Sequence, residues 1–124
     1  MMTTLRLKSR QWIVNEEGDI IMGEGRKEIL ETIEKTGSIN QTAKMMRMSY
    51  KGVWGKIKAT ERNMKTRLVH TDRKKGAWLS EEGRALLERY RLLKQKCTEA
   101  EERIFDHIFR SSVKAGKKGA GDWE

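Results

Sequence analysis

Two short helical patterns separated by a tight turn constrain the fold of this chain more than any other feature. Residues 39–46 place apolar side chains at helical spacing, and either Ser38 or Asn40 can act as the N-cap. A brief turn through residues 47 and 48 follows, after which Ser49 can cap a second helix. The apolar residues of that second helix fall within one narrow arc at about 100° per residue, namely Val53, Trp54, Ile57 and Met64. This layout predicts a helix-turn-helix.

A basic β-hairpin is predicted directly after the second helix. Residues 67–71 and 77–79 read as short strands around the turn Asp72-Arg73-Lys74-Lys75-Gly76. A hairpin at this place is the wing of a winged helix. An ordinary solvated hairpin, with lysines that keep its tip in water, is the alternative, and the equally basic helix-turn-helix beside it favours contact with DNA.

The N-terminal segment is predicted to form strands. Leu5 and Leu7 alternate with polar neighbours, and residues 11–14 and 19–22 flank a four-residue turn. Gly18 at the end of that turn can take the positive φ that closes a hairpin. We therefore expect an N-terminal β-hairpin.

Helices are predicted on either side of the central region. The first covers residues 24–36 and ends at Gly37 as its C-cap. The second is long, begins after the cap Ser80 and runs to about Arg110. Its apolar residues are separated alternately by four and three positions: Leu86, Tyr90, Leu93, Cys97, Ala100 and Ile104. This a/d seam predicts the interface of a homodimer, and packing of the seam against its own domain is the alternative.

The predicted fold is mainly α with small β elements, a winged helix-turn-helix with an N-terminal β-hairpin and a long C-terminal dimerisation helix. The expected parts are the hairpin (residues 1–23), the DNA-binding domain (24–79), the dimerisation helix (80–110) and a flexible tail (111–124).

The net charge of the chain lies in one stretch. Residues 38–75 contain eleven basic residues and two acidic ones, and their net charge of +9 equals that of the whole chain. A basic excess confined to one third of the sequence indicates a surface for a polyanion, with nucleic acid as the leading candidate.

Several segments resemble the DNA-binding domain of the ModE family of molybdate-responsive repressors, which is distantly related to the LysR-type domain. The family pattern G-S-I…A…S-Y…A-W is similar to residues 37–44 followed by 48–54, and the likeness continues through residues 79–83 to Tyr90. It covers about residues 24–110. Arg47 stands where the family usually has glycine, so a left-handed backbone there would cost the arginine roughly 1 kcal/mol.

The resemblance implies a winged-helix dimer that binds an operator in duplex DNA and controls transcription, typically of molybdate uptake or molybdoenzyme genes. Nothing in this sequence matches the oxyanion-binding domains of full-length family members. Molybdate binding is therefore not expected of this chain alone.

The predicted DNA-binding residues lie on the second helix and the wing. Ser49 and Lys51 at the amino end of the helix are best placed for base edges, and the other cations can meet phosphates. Small residues opposite the apolar arc let the helix come close to the groove floor. The full set is Ser49, Lys51, Gly52, Gly55, Lys56, Lys58, Arg62, Arg73, Lys74 and Lys75. Tyr50 fits either the core or a DNA contact.

Other functions are disfavoured. His70, His107 and Cys97 are isolated in sequence, so we expect no enzyme activity, metal site or cofactor. Trp12 and Trp54 are predicted to belong to the core, because a single-strand binder would space several exposed aromatic residues along a groove. The short apolar runs and the lone cysteine predict a cytoplasmic protein without a membrane span. The alternative function is a protein-interaction module with only nonspecific affinity for nucleic acid.

Overall fold

The computed structural model describes residues 4–111 and is mainly helical, with two small antiparallel β-hairpins. In chain order the elements are β1 (Ile13–Val14), β2 (Ile20–Met22), α1 (Glu24–Thr36), α2 (Ile39–Met46), α3 (Tyr50–Met64), β3 (Val69–Asp72), β4 (Gly76–Leu79), α4 (Glu81–Phe105) and a π-helical segment (Asp106–Ser111). The predicted fold class is confirmed. Residues 112–124, which contain nearly all of the predicted tail, lie outside the described residues.

The chain divides into two compact units. The first unit is Arg10–Arg91, and the second contains the described parts of Met1–Ser9 and Leu92–Glu124. In the second unit the Ser9 hydroxyl hydrogen-bonds the Glu101 carboxylate at 2.5 Å, and the rings of Phe105 and Phe109 stack with centroids 4.9 Å apart.

One apolar cluster forms the core of the first unit. It combines residues from β2, the four helices and the wing: Ile21, Met22, Ile29, Leu30, Ile33, Ile39, Ala43, Val53, Ile57, Leu68, Val69, Ala77, Leu79, Leu87 and Tyr90. Helices α1, α2 and α3 each turn the apolar face that their sequence periodicity predicts towards this cluster. Burial of that shared face fixes the helix-turn-helix.

The predicted helix boundaries of the central region are confirmed. Helix α1 ends at Gly37, whose φ of 69° is left-handed. Ser38, and not Asn40, is the N-cap of α2, where its hydroxyl accepts a hydrogen bond from the Gln41 amide at 3.0 Å. Ser49 caps α3 in the same way through the Gly52 amide at 2.9 Å. These serines satisfy backbone donors that a helix start otherwise leaves unpaired.

The N-terminal prediction is only partly correct. The hairpin forms, with Gly18 at a φ of 90° and its amide bonded to the Asn15 carbonyl at 3.0 Å. The strand expected around Leu5 and Leu7 is wrong, since these residues are about half exposed and have no regular structure. In the described chain each sheet has two strands, so no strand pairs with this segment.

Two apolar residues lie at the surface, although the sequence assigns Trp12 to the core and places Met64 on the apolar arc of α3. Trp12 is 60% exposed, and its indole covers Gly23, where a Cβ would come within 3.0 Å of the Trp12 ring. Met64, the last residue of α3, is 37% exposed because the helix end extends beyond the packed cluster. Trp54 is partly buried and packs against the core, as expected.

The first turns of α4 belong to the core of the first unit. Tyr90 has no exposed surface, and its hydroxyl donates to the Gln11 carbonyl at 2.8 Å and lies 3.2 Å from the Glu24 carboxylate. Burial, followed by the negative charge of Glu24, raises the pKa of Tyr90 to about 12. Leu86 also packs against this core. The assignment of Tyr90 to a dimer interface is therefore wrong, because its own domain already surrounds it.

Candidate nucleic-acid interface

Helix α3 presents a continuous outer face opposite its buried side. Val53 and Ile57 are buried, whereas Lys51, Gly55 and Lys56 are exposed. A Cβ added to Gly55 would meet nothing within 4 Å, so the glycine leaves open space above the helix backbone. The backbone at this point is accessible to a large partner such as the floor of a DNA groove.

Gly52 has a local reason to be small. A Cβ at this position would lie 3.1 Å from the Ser49 hydroxyl oxygen and 3.5 Å from the Met48 methyl group. The missing side chain therefore leaves room for the hydrogen bond that caps α3. Ser49 itself is exposed, but its hydroxyl oxygen already accepts that bond.

The predicted phosphate contact Lys58 has partners inside the protein. Its ammonium lies 4.8 Å from the centroid of the Trp54 ring and 3.4 Å from a carboxylate oxygen of Glu61. The other Glu61 oxygen accepts hydrogen bonds from the amides of Leu68 (2.8 Å) and Val69 (3.2 Å). Lys58 is half-exposed, so its charge is partly compensated where a phosphate would meet it.

Glu61 supports the structure of the basic surface, a role that the sequence analysis missed. It is buried and joins the last turns of α3 to the first strand of the wing. The available signal was its isolation, since Glu61 and Asp72 are the only acids among residues 38–75. An acid kept within a strongly basic stretch indicates a carboxylate with a structural partner.

Asp72 has the corresponding role at the wing tip. One of its carboxylate oxygens accepts hydrogen bonds from the amides of Lys74 and Lys75, both at 2.9 Å. The three cationic residues of the tip, from Arg73 to Lys75, are exposed. Both acids of the basic stretch are thus bonded to backbone amides, and the outward charge of the region is strongly positive.

The wing is attached closely to the end of α1. The Ala77 amide donates to the Gly37 carbonyl at 2.9 Å. Gly76 has a φ of 88°, and a Cβ there would lie 2.3 Å from the same carbonyl oxygen. Only glycine fits this approach, so the cationic tip is held at a fixed place beside the helix-turn-helix.

An open groove separates the wing from the amino end of α2. Tyr50 and Asn40 are exposed along it, and the wing contributes Thr71 and Arg73. The sequence left Tyr50 between core and surface, and its 48% exposure places it at the surface. Of the predicted DNA-binding residues, Arg73 lines this groove, and the predicted residues of α3 do not.

The turn of the helix-turn-helix adopts the backbone that the sequence suggested. Arg47 has a φ of 55° and a ψ of 43°, which is left-handed. Its amide donates to the carbonyls that end α2, and the Met48 amide donates to the Ala43 carbonyl at 2.9 Å. An arginine thus occupies a position where glycine would have the lower energy.

Residues 4–111 contain neither a metal-binding cluster nor a membrane-spanning helix. No group of three or more His, Cys, Asp or Glu side chains in this range could hold a metal ion. No helix of the same range is long and apolar enough to span a membrane.

Comparisons with known proteins agree with this geometry. Residues 26–84 match the family model of the bacterial regulatory helix-turn-helix protein, lysR family. A comparison with curated protein sequences finds no match.

Solved structures similar to this chain include three of CbnR. The CbnR DNA-binding domain in complex with DNA has a TM-score of 0.54 and 20% identity, over 66% of this chain and 93% of that one. CbnR, a LysR family transcriptional regulator, gives 0.55, and full-length CbnR with its target DNA gives 0.57. In both cases the identity is 18%, and the match includes 70% of this chain and 30% of the CbnR chain. Residues 26–84 therefore form a helix-turn-helix domain that is similar to the LysR type.

Proposed function

We propose that this chain is a sequence-specific transcriptional regulator that binds duplex DNA as a homodimer in the cytoplasm. The observation that carries the proposal is the exposed cationic surface of α3 and the wing, in which both acids are bonded to backbone amides. The similarity of the domain to a CbnR domain that was solved with DNA supports the same partner.

Each part of the surface has a distinct task in this proposal. Lys51 lies at the exposed amino end of α3 and reads base edges, while Gly55 lets the helix backbone come close to the groove floor. The tip cations Arg73, Lys74 and Lys75 neutralise phosphates without reading the sequence.

Two variants test this division of tasks. After selection of a preferred duplex from a random pool, Lys51→Ala should lose affinity for that duplex and much less for a scrambled one. Lys74→Ala should weaken both duplexes alike and make the dependence of log affinity on log salt shallower by about 1. Fluorescence anisotropy at several salt concentrations measures both effects. An equal loss on both duplexes for Lys51→Ala would refute its reading role.

The dimer is supported by the unit that contains the C-terminal part of α4. Leu93 and Ile104 are 40% and 39% exposed there, although they continue the apolar spacing of the helix. Cys97 and Ala100 lie between them on the same seam and are partly exposed. A second copy of the helix would cover these side chains and bring two reading helices to one operator.

The molybdate connection is a finer proposal that rests only on the resemblance of about residues 24–110 to the ModE family. It predicts that operators selected by this protein occur beside molybdate uptake or molybdoenzyme genes. Binding to those upstream sequences should be unchanged by molybdate, since nothing in this sequence matches the oxyanion-binding domains of the ModE family. A selected operator found only beside unrelated genes would contradict it.

The competing function is a protein-interaction module with nonspecific affinity for nucleic acid, and the exposed apolar residues of α4 favour it. In that case selection would enrich no sequence, and specific and scrambled duplexes would bind equally at every salt concentration.

A further inference from the structure

A second group of cations lies at the carboxyl end of α3, away from its base-reading end. Arg62, Lys65 and Arg67 are exposed around one open groove, whose remaining walls are Lys58, Glu61 and Thr66. We refer to Arg62, Lys65 and Arg67 as the helix-end cluster.

The charge of the helix-end cluster is uncompensated. The acids on either side of the cluster in sequence are both engaged: Glu61 is buried and bonded to two backbone amides and to Lys58, and Asp72 accepts from the amides of Lys74 and Lys75. Within residues 4–111, no member of the cluster pairs with a carboxylate. Three exposed like charges repel one another, so their proximity has an electrostatic cost in the absence of an anion.

Lys65 also has an unusual backbone. It ends α3 with a φ of 55° and a ψ of 42°, which is left-handed. Glycine adopts this conformation without the steric cost that a Cβ brings, and it is the usual residue at such helix ends. A lysine kept where glycine has the lower energy suggests that its charge is used.

The length of α3 determines which part of the DNA the helix-end cluster can contact. Its 15 residues span about 22 Å, whereas the major groove of DNA is about 12 Å wide. When the amino end of the helix contacts base edges, the carboxyl end extends past the rim of the groove, where the sugar-phosphate strand lies.

We propose that the helix-end cluster is a second phosphate-binding surface, which holds the DNA backbone outside the base pairs that α3 reads. The inference rests on the proposed binding of duplex DNA. It adds Lys65 and Arg67 to the contact residues and predicts that the protein covers more of the duplex than the bases it distinguishes.

The test uses variants that separate charge from stability. Lys65→Gly removes the charge and relieves the left-handed strain, Arg67→Gln removes a charge with little change in shape, and the two are also combined. Arg89→Gln is the matched control, because Arg89 is exposed on α4 in the same compact unit. Affinities are measured between about 50 and 300 mM salt on a selected duplex and on a version shortened at both ends to the base-read segment.

On the long duplex the salt slope of each variant should be shallower by about 0.9 for every phosphate that it no longer neutralises, and the double variant should show the sum. Wild type and variants should bind the short duplex equally, and Arg89→Gln should behave as wild type on both. Lys65→Gly should melt no lower than wild type while its affinity falls.

Three results would overturn the inference. In the first, wild type binds the long duplex well, but Lys65→Gly and Arg67→Gln keep its dependence of log affinity on log salt. In the second, the two variants lose no more affinity than Arg89→Gln. Alternatively, Lys65→Gly could melt lower with unchanged affinity, which would make Lys65 a helix-end stabiliser only. If wild type itself bound no duplex, the proposed function would fail first, and this surface would fail with it.

Discussion

Two glycines inside helices should respond to alanine in opposite directions. Gly83 lies in the first turn of α4 and is buried, whereas Gly55 lies in the middle of α3 and is exposed. Helix propensity alone favours alanine over glycine by up to about 1 kcal/mol at either position. The surroundings of the two Cβ atoms decide the difference.

At Gly83 the added methyl group would collide with the backbone. A Cβ would lie 2.2 Å from the Leu68 carbonyl oxygen and 3.1 Å from its carbon. That carbonyl cannot move freely, because it accepts the Ser80 amide at 2.9 Å, and Ser80 in turn caps α4 through the Gly83 amide. The start of the helix must therefore shift away from the strand.

Overpacking of this kind costs about 1–3 kcal/mol or more, and the strained cap adds to it. After the gain in helix propensity, Gly83→Ala should destabilise the protein by about 1–3 kcal/mol. Gly55→Ala has open space around its Cβ and should stabilise it by about 0.5–1 kcal/mol. For a chain of this size 1 kcal/mol corresponds to a change in Tm of about 4 °C.

Thermal melts of both variants, monitored by circular dichroism at 222 nm, show whether each is more or less stable than wild type. Urea titrations provide a second measurement of the same two changes in stability. A Gly83→Ala melt at or above that of wild type would refute the close packing of α4 on the Leu68 carbonyl. A Gly55→Ala melt well below wild type would show that the outer face of α3 is covered by something in the free protein.

Three further predictions concern binding, pH dependence and assembly. Gly55→Ala should weaken duplex binding while it raises Tm, since its methyl group would stand between α3 and the groove floor; unchanged affinity in a mobility-shift assay would argue against this approach. The raised pKa of Tyr90, about 12 against an ordinary 10.0, means that the unfolded chain loses this proton first. Stability should therefore fall by roughly 2–3 kcal/mol as pH rises from 10 to 12, and urea titrations of Tyr90→Phe should lack that part of the decline. Leu93→Glu puts a charge on the seam of the proposed dimer, so its mass by light scattering should halve while its helical signal persists; a variant that remains dimeric would contradict the seam.

The sequence was sufficient to locate the elements of the central region. Ser38, Ser49 and Gly37 are local signals whose effect needs no knowledge of the tertiary fold, and the helices begin and end beside them. The positive φ of Arg47 agrees with the resemblance to the ModE family, which usually has glycine at this position.

Errors arose where one pattern allows two environments. The spacing of the α4 seam is the same whether a residue faces its own core or a second copy of the chain. Only the structure shows that Tyr90 is buried in the core of its own domain. Trp12 was assigned to the core because the sequence lacks the row of aromatic residues of a single-strand binder, yet its indole covers Gly23 from outside. Glu61 was missed because its partners are backbone amides of a strand, which no side-chain pattern reveals.

The attachment of the wing has a consequence for how such proteins diverge. The bonds that hold it join backbone groups, as between Ala77 and Gly37 and between Ser80 and Leu68, while the side chains from Arg73 to Lys75 project outward. Substitutions at the tip therefore leave these bonds in place. A lineage built on this scaffold can change the charge of the wing tip by exchanging these residues, with little selection needed to restore the fold afterwards.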